Sequence, residues 1–139
     1  MNNLKSYINK HIDSYPDIKL VYLFGSYANG NQKKHSDLDI ALFVSPKKYA
    51  KDAFGSTKDA YSLTANIGID FNNQTDVIIL NSSSIEMCYH IITTAQVLYN
   101  ETLDFRLEYE TKIRGMYFDF MPFINQLRSQ SPDNRNAKN

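Results

Sequence analysis

The sequence predicts a small α/β (α+β) domain, and three observations carry that expectation. Short apolar runs rich in strand formers lie at residues 18–24, 37–44 and 75–80, each bounded by turn residues. Between and around them, apolar residues recur at helical spacing. The length of 139 residues, 42% apolar and 22% charged, suits one hydrophobic core and leaves no room for a second of similar size.

Each element has its own signal. Leu4, Tyr7, Ile8 and Ile12 recur at helical spacing, so the first dozen residues form an amphipathic helix that Pro16 ends. Residues 18–24 (IKLVYLF) make the first strand, which stops at Gly25-Ser26 ahead of an expected short helix. The polar run 29–36 (NGNQKKHS) reads as an exposed loop. The second strand, 37–44 (DLDIALFV), is halted by Ser45-Pro46, and 47–66 reads as helical with Gly55 a break between two helices. Residues 75–80 (TDVIIL) form the third strand. Asn81, Ser82, Ser83 and Ser84 offer N-caps to a helix running towards Ala95, and Val97, Leu98 and Tyr99 add a short strand. A long aromatic-rich helix covers 103–128, and the polar tail 129–139 is expected to be disordered. No internal repeat is visible.

Composition removes some functions. Fifteen basic residues balance fifteen acidic ones, which argues against broad binding to nucleic acid, because that needs clustered Lys and Arg to displace counterions. Cys88 is the single cysteine, so no internal disulfide forms, in keeping with a reducing cytoplasm. The opening MNNLKSYINK lacks an apolar core, so no secretory signal is expected, and no apolar run approaches the length of a membrane span.

Three features point to chemistry. Gly25-Ser26 ends a strand, where glycine lets the backbone approach a phosphate and the serine hydroxyl adds a donor. Alone it is weak, since Gly-Ser also makes ordinary turns. Asp37 and Asp39 fall on one face of the second strand, where two acids repel unless solvated or neutralised by a cation such as Mg²⁺. A lone Asp-x-Asp is commonly just solvated. Asp76 opens an apolar strand, where a charge is costly unless something pairs with it. If the third strand lies beside the second, all three acids share one site.

The run LFGSYANGNQKKHSDLDIALFV resembles the signature of the polymerase-β-like nucleotidyltransferase superfamily, most closely its minimal nucleotidyltransferase (MNT) group. The later region, with VLYN and RLEYETKIRGMYFDFMPFI, is similar to the antitoxins of HEPN/MNT toxin–antitoxin pairs. The resemblance implies a minimal nucleotidyltransferase domain over 1–128, its catalytic core at about 15–82 and C-terminal helices at about 83–128. It implies that Gly25 and Ser26 bind the triphosphate of ATP and that Asp37 and Asp39 ligate Mg²⁺. Asp76 would complete a second metal site and help activate the attacking hydroxyl. Two such metals stabilise both the attacking and the leaving oxygen of an in-line displacement. Many relatives carry Arg where Asn29 stands, so a phosphate contact is missing or comes from Lys33, Lys34 or a partner. His35 reads as a solvated loop residue.

The resemblance further implies a Mg²⁺-dependent adenylyltransferase of the cytoplasm. As an antitoxin it would place AMP on a tyrosine of a HEPN ribonuclease. A chain this short is expected to lack an acceptor-selecting domain, which favours a protein partner or a pocket at an oligomer interface. Core packing is expected to absorb most of Tyr109, Met116, Tyr117, Phe118, Phe120, Met121 and Phe123. The alternatives are an antitoxin that acts by binding alone and a nucleotidyltransferase for a small molecule such as an aminoglycoside.

Overall fold

A computed structural model describes residues 2–26, 28, 30 and 37–130. Helix α1 (Asn2–His11) leads into strand β1 (Ile18–Phe24), and β2 (Leu38–Val44) follows. Three helices come next: α2 (Pro46–Lys51), α3 (Ala53–Ser56) and α4 (Lys58–Asp70). The chain closes with β3 (Thr75–Ile79), α5 (Ile85–Thr94), β4 (Gln96–Asn100) and α6 (Leu103–Ser129). The four strands form one mixed sheet in the order β3-β2-β1-β4, with β1 antiparallel to β2 and β4 and β2 parallel to β3.

Each face of the sheet carries its own core. On one, Leu38, Ile40, Leu42 and Val44 of β2 pack with Leu4 and Ile8 of α1 and Ala60, Leu63 and Ile67 of α4. On the other, Leu20, Tyr22 and Ala41 meet Cys88 and Ile91 of α5 and Ile113 of α6. Burying each of the larger aliphatic side chains is worth about 1.5–3 kcal/mol, so this three-layer arrangement fixes the strand order firmly. A register shift between Ile18 and Leu20 puts Ile18 on the same face as Val21 and Leu23.

The strand bounds fall close to expectation, while two helical readings need correction. Gly55 lies inside α3. The breaks sit at Asp52, whose carboxylate accepts the Gly55 N–H at 2.9 Å and caps α3, and at Thr57. No helix begins at Gly25-Ser26 among the described residues, where the chain forms a turn. Ser84 is the N-cap of α5, its hydroxyl accepting from the Met87 N–H. The tail beyond residue 130 lies outside the described residues.

Helix α6 spans 27 residues, roughly 40 Å at 1.5 Å per residue, and outruns the sheet. Of its side chains only Glu110 and Ile113 are fully buried. Phe118, Phe120 and Phe123 are exposed, so core packing does not absorb them as expected. Its second half meets α5 through a stacked Tyr89–Tyr117 pair with ring centroids 3.7 Å apart and an Arg128–Glu86 ion pair. No helix among the described residues is long and apolar enough to cross a membrane.

Candidate active site

One end of the sheet gathers every site residue expected from the sequence. β1 ends at Phe24, which pairs with Asp39 near the start of β2, so Gly25 and Ser26 turn away right beside that carboxylate. β3 runs parallel to β2, and its register sets Asp76 opposite Asp39. Asp37 stands one residue before β2, partly exposed, and still acts on Asp39 through its charge.

Leu38 is buried in the core, and the half-exposed Asp39 beside it follows from strand alternation. Burial pushes the Asp39 carboxyl above its ordinary value. The charge of Asp76, a hydrogen bond shared with it and the charge of Asp37 all act in the same direction. Three carboxylates at one strand end form a hard, all-oxygen donor set, and a divalent cation such as Mg²⁺ would relieve their repulsion. That set fits the ion by its chemistry. Among the described residues, however, no three His, Cys, Asp or Glu side chains are grouped closely enough to hold a metal ion. Asp39 and Asp76 adjoin, while Asp37 flanks them.

Gly25 belongs to this geometry. Its φ is +78°, and a Cβ built on it would lie 2.1 Å from Asp39 Oδ2. Glycine is therefore required twice, by its backbone and by the carboxylate against it. Gly25→Ala is expected to destabilise the fold by about 2 kcal/mol or more. In exposed α6, Gly115→Ala meets nothing within 4 Å and should stabilise by about 0.5–1 kcal/mol. Urea denaturation of the two variants checks this, and equal midpoints would refute the close-packed glycine.

Gln96 was not singled out by sequence reasoning. Opening β4, it donates from Nε2 to the Ala28 carbonyl at 3.1 Å and so ties the turn after β1 to the neighbouring strand. No local signal marks it, because the bond joins residues far apart in sequence. Asn29, Lys33, Lys34 and His35 lie outside the described residues. A largely apolar cleft of about 450 Å³, lined by Phe43, Leu80, Cys88 and Tyr109 among others, opens near the far end of β2, away from these acids.

The arrangement is a glycine-serine turn beside acidic side chains at one end of the sheet. The family model described as polymerase beta, nucleotidyltransferase matches residues 3–104. The chain is 30% identical over 105 residues to the protein adenylyltransferase MntA of Shewanella oneidensis, covering 76% of this chain and 70% of that protein. It is similar in fold to a toxin–antitoxin crystal structure with AMP-PNP, with a TM-score of 0.65 and 23% identity over 91% of this chain and 98% of that one. It is also similar in fold to a chain of the tri-AMPylated Shewanella oneidensis HEPN toxin in complex with its MNT antitoxin. That match has a TM-score of 0.60 and 20% identity over 91% of this chain and 98% of that one.

Proposed function

The chain belongs to the polymerase β nucleotidyltransferase family, and from that premise we propose that it transfers AMP from ATP to a tyrosine of a HEPN-domain toxin and so acts as its antitoxin. The observation that carries the reading is the Asp39–Asp76 register beside Gly25-Ser26 at one sheet end. The relative's name, protein adenylyltransferase MntA, supports the reaction, and the toxin–antitoxin structures of the same fold support the partner. The formal net charge of +0 favours a protein acceptor over nucleic acid.

In this reading residues 1–128 act as one catalytic domain in the cytoplasm, where ATP is at hand. Gly25 and Ser26 receive the triphosphate, the glycine by close backbone approach and the serine by its hydroxyl. Gln96 keeps that turn in place through Ala28. Asp37, Asp39 and Asp76 would hold Mg²⁺, which would neutralise charge on the triphosphate and on the departing pyrophosphate. The acceptor oxygen attacks the α-phosphorus, the bond from that phosphorus to the bridging oxygen of pyrophosphate breaks, and Asp76 takes the hydroxyl proton.

The test is transfer of label from α-³²P-ATP, with Mg²⁺, to candidate acceptors that include the product of the adjacent gene. Label on that protein, abolished by Asp37→Ala with Asp39→Ala, is the expected result. Label on no protein, with ATP still bound, overturns the reading and moves weight to a small-molecule acceptor or to neutralisation by binding.

A further inference from the structure

The candidate site lies beside an open sheet edge, and the use inferred for that edge rests on the function proposed above. In the order β3-β2-β1-β4, β3 is an edge strand with β2 as its one strand neighbour among the described residues. The parallel register, with the Leu38 N–H donating to the Gln74 carbonyl at 2.8 Å, decides which way each peptide group points. Gln74, Asp76 and Ile78 turn their backbone groups towards β2, whereas Thr75 and Val77 turn theirs outward. Among the described residues no backbone group pairs with those of Thr75 and Val77 on the outer side. One residue further on, the edge is closed, since the Ile79 carbonyl accepts from the Ser82 and Ser83 hydroxyls.

Between the two open positions stands Asp76, exposed, on the sheet face that carries Asp39. A strand added outside β3 would lie about 4.8 Å away, and its residue opposite Asp76 would project on that same face. The Cβ atoms of such opposed residues sit roughly 4.5–5.5 Å apart. We propose that the acceptor protein adds an extended segment to the outer edge of β3, pairing with Thr75 and Val77. The residue opposite Asp76 then presents its hydroxyl to that carboxylate. Main-chain pairing supplies the affinity, and the side chain beside Asp76 supplies the choice of acceptor. The hydroxyl oxygen forms the new bond to the α-phosphorus of ATP, pyrophosphate leaves, and the proton passes to Asp76. The same negative charge discourages two copies of β3 from pairing edge to edge.

Val77→Pro removes one outward N–H and leaves every backbone bond to β2 in place. With the acceptor labelled in the experiment above, its kcat/KM should fall at least about 30-fold while the ATP Kd stays within about twofold. Thr75→Pro, at the first residue of the strand, should act in the same direction. Hydrogen exchange on the wild-type chain reads the contact without any variant. Saturating acceptor should slow the Val77 amide at least about tenfold and leave the Asp76 amide, already bonded to β2, unchanged. A wild-type chain that labels no protein overturns the function and this docking with it. Wild-type labelling with an unprotected Val77 amide, or with undiminished rates in a folded Val77→Pro, overturns the docking alone.

Discussion

Asp39→Asn is expected to lower the rate of AMP transfer by at least about 10³-fold and, at the same time, to raise the melting temperature of the isolated chain. Both effects have one cause. Asp39 is partly buried between two other acids, and its carboxyl titrates above the ordinary value because burial and the charges of Asp76 and Asp37 disfavour ionisation. An acid whose folded pKa is raised costs stability once ionised. That cost is present above the folded pKa and is relieved as pH falls through it. The asparagine variant should therefore melt roughly 2–4 °C higher at neutral pH in metal-free buffer. The difference should shrink towards acid, where the wild-type carboxyl is already protonated. An asparagine amide beside Asp76 would also replace a repulsion by a hydrogen bond. Adding Mg²⁺ should raise the wild-type midpoint and close the gap. An Asp39→Asn variant that melts lower than wild type at neutral pH would refute the repulsion account.

The largest loss of stability is expected at Glu110→Ala. Glu110 is a carboxylate only 4% exposed, held under α6 by the Tyr22 hydroxyl at 2.7 Å and by Arg106 and Arg114 at 3.3 and 3.7 Å. Arg106 donates in turn to Asn100 Oδ1 at 3.0 Å, so the group ties α6 to both β1 and β4. Truncation leaves a buried hydroxyl and a largely buried guanidinium without their acceptor. Loss of one partner from such a network costs about 3–5 kcal/mol. Tyr22→Phe takes away a single neutral donor and should cost about 1–2 kcal/mol. Chemical denaturation of the two variants reads the order directly. A Glu110→Ala loss below about 1 kcal/mol would mean that apolar packing alone holds the helix.

Much of the fold was legible because local chemistry decides it. The apolar run 18–24 has the bounds of β1, and the serines before α5 include its real cap, Ser84. Gly55 misleads, because glycine reads as a breaker, whereas the Asp52 side chain begins the next helix three residues earlier. The Asp37, Asp39 and Asp76 trio is legible as residues, whereas the register that puts Asp39 opposite Asp76 depends on a strand order that no local signal fixes. Gln96 to Ala28 and Glu110 to Tyr22 were invisible for the same reason, since each joins partners remote in sequence. Core packing was expected to absorb most of the α6 aromatics. Periodicity shows that a helix is apolar, and it does not show that the helix outruns the sheet it packs on.

The mixed pairing of the sheet has a consequence for how the protein comes into being. Strands β1 and β2 are consecutive and antiparallel, so the turn carrying Gly25 and Ser26 and the first two acids come together early. β3 joins β2 in parallel, and only after the chain has passed through α2, α3 and α4. Such non-local pairings close late in folding. A nascent or truncated chain that holds Gly25, Ser26, Asp37 and Asp39 thus has the residues of the site without its last carboxylate. If the three acids act together as proposed, fragments that end before β3 lack one of them and are expected to be inert instead of partly active.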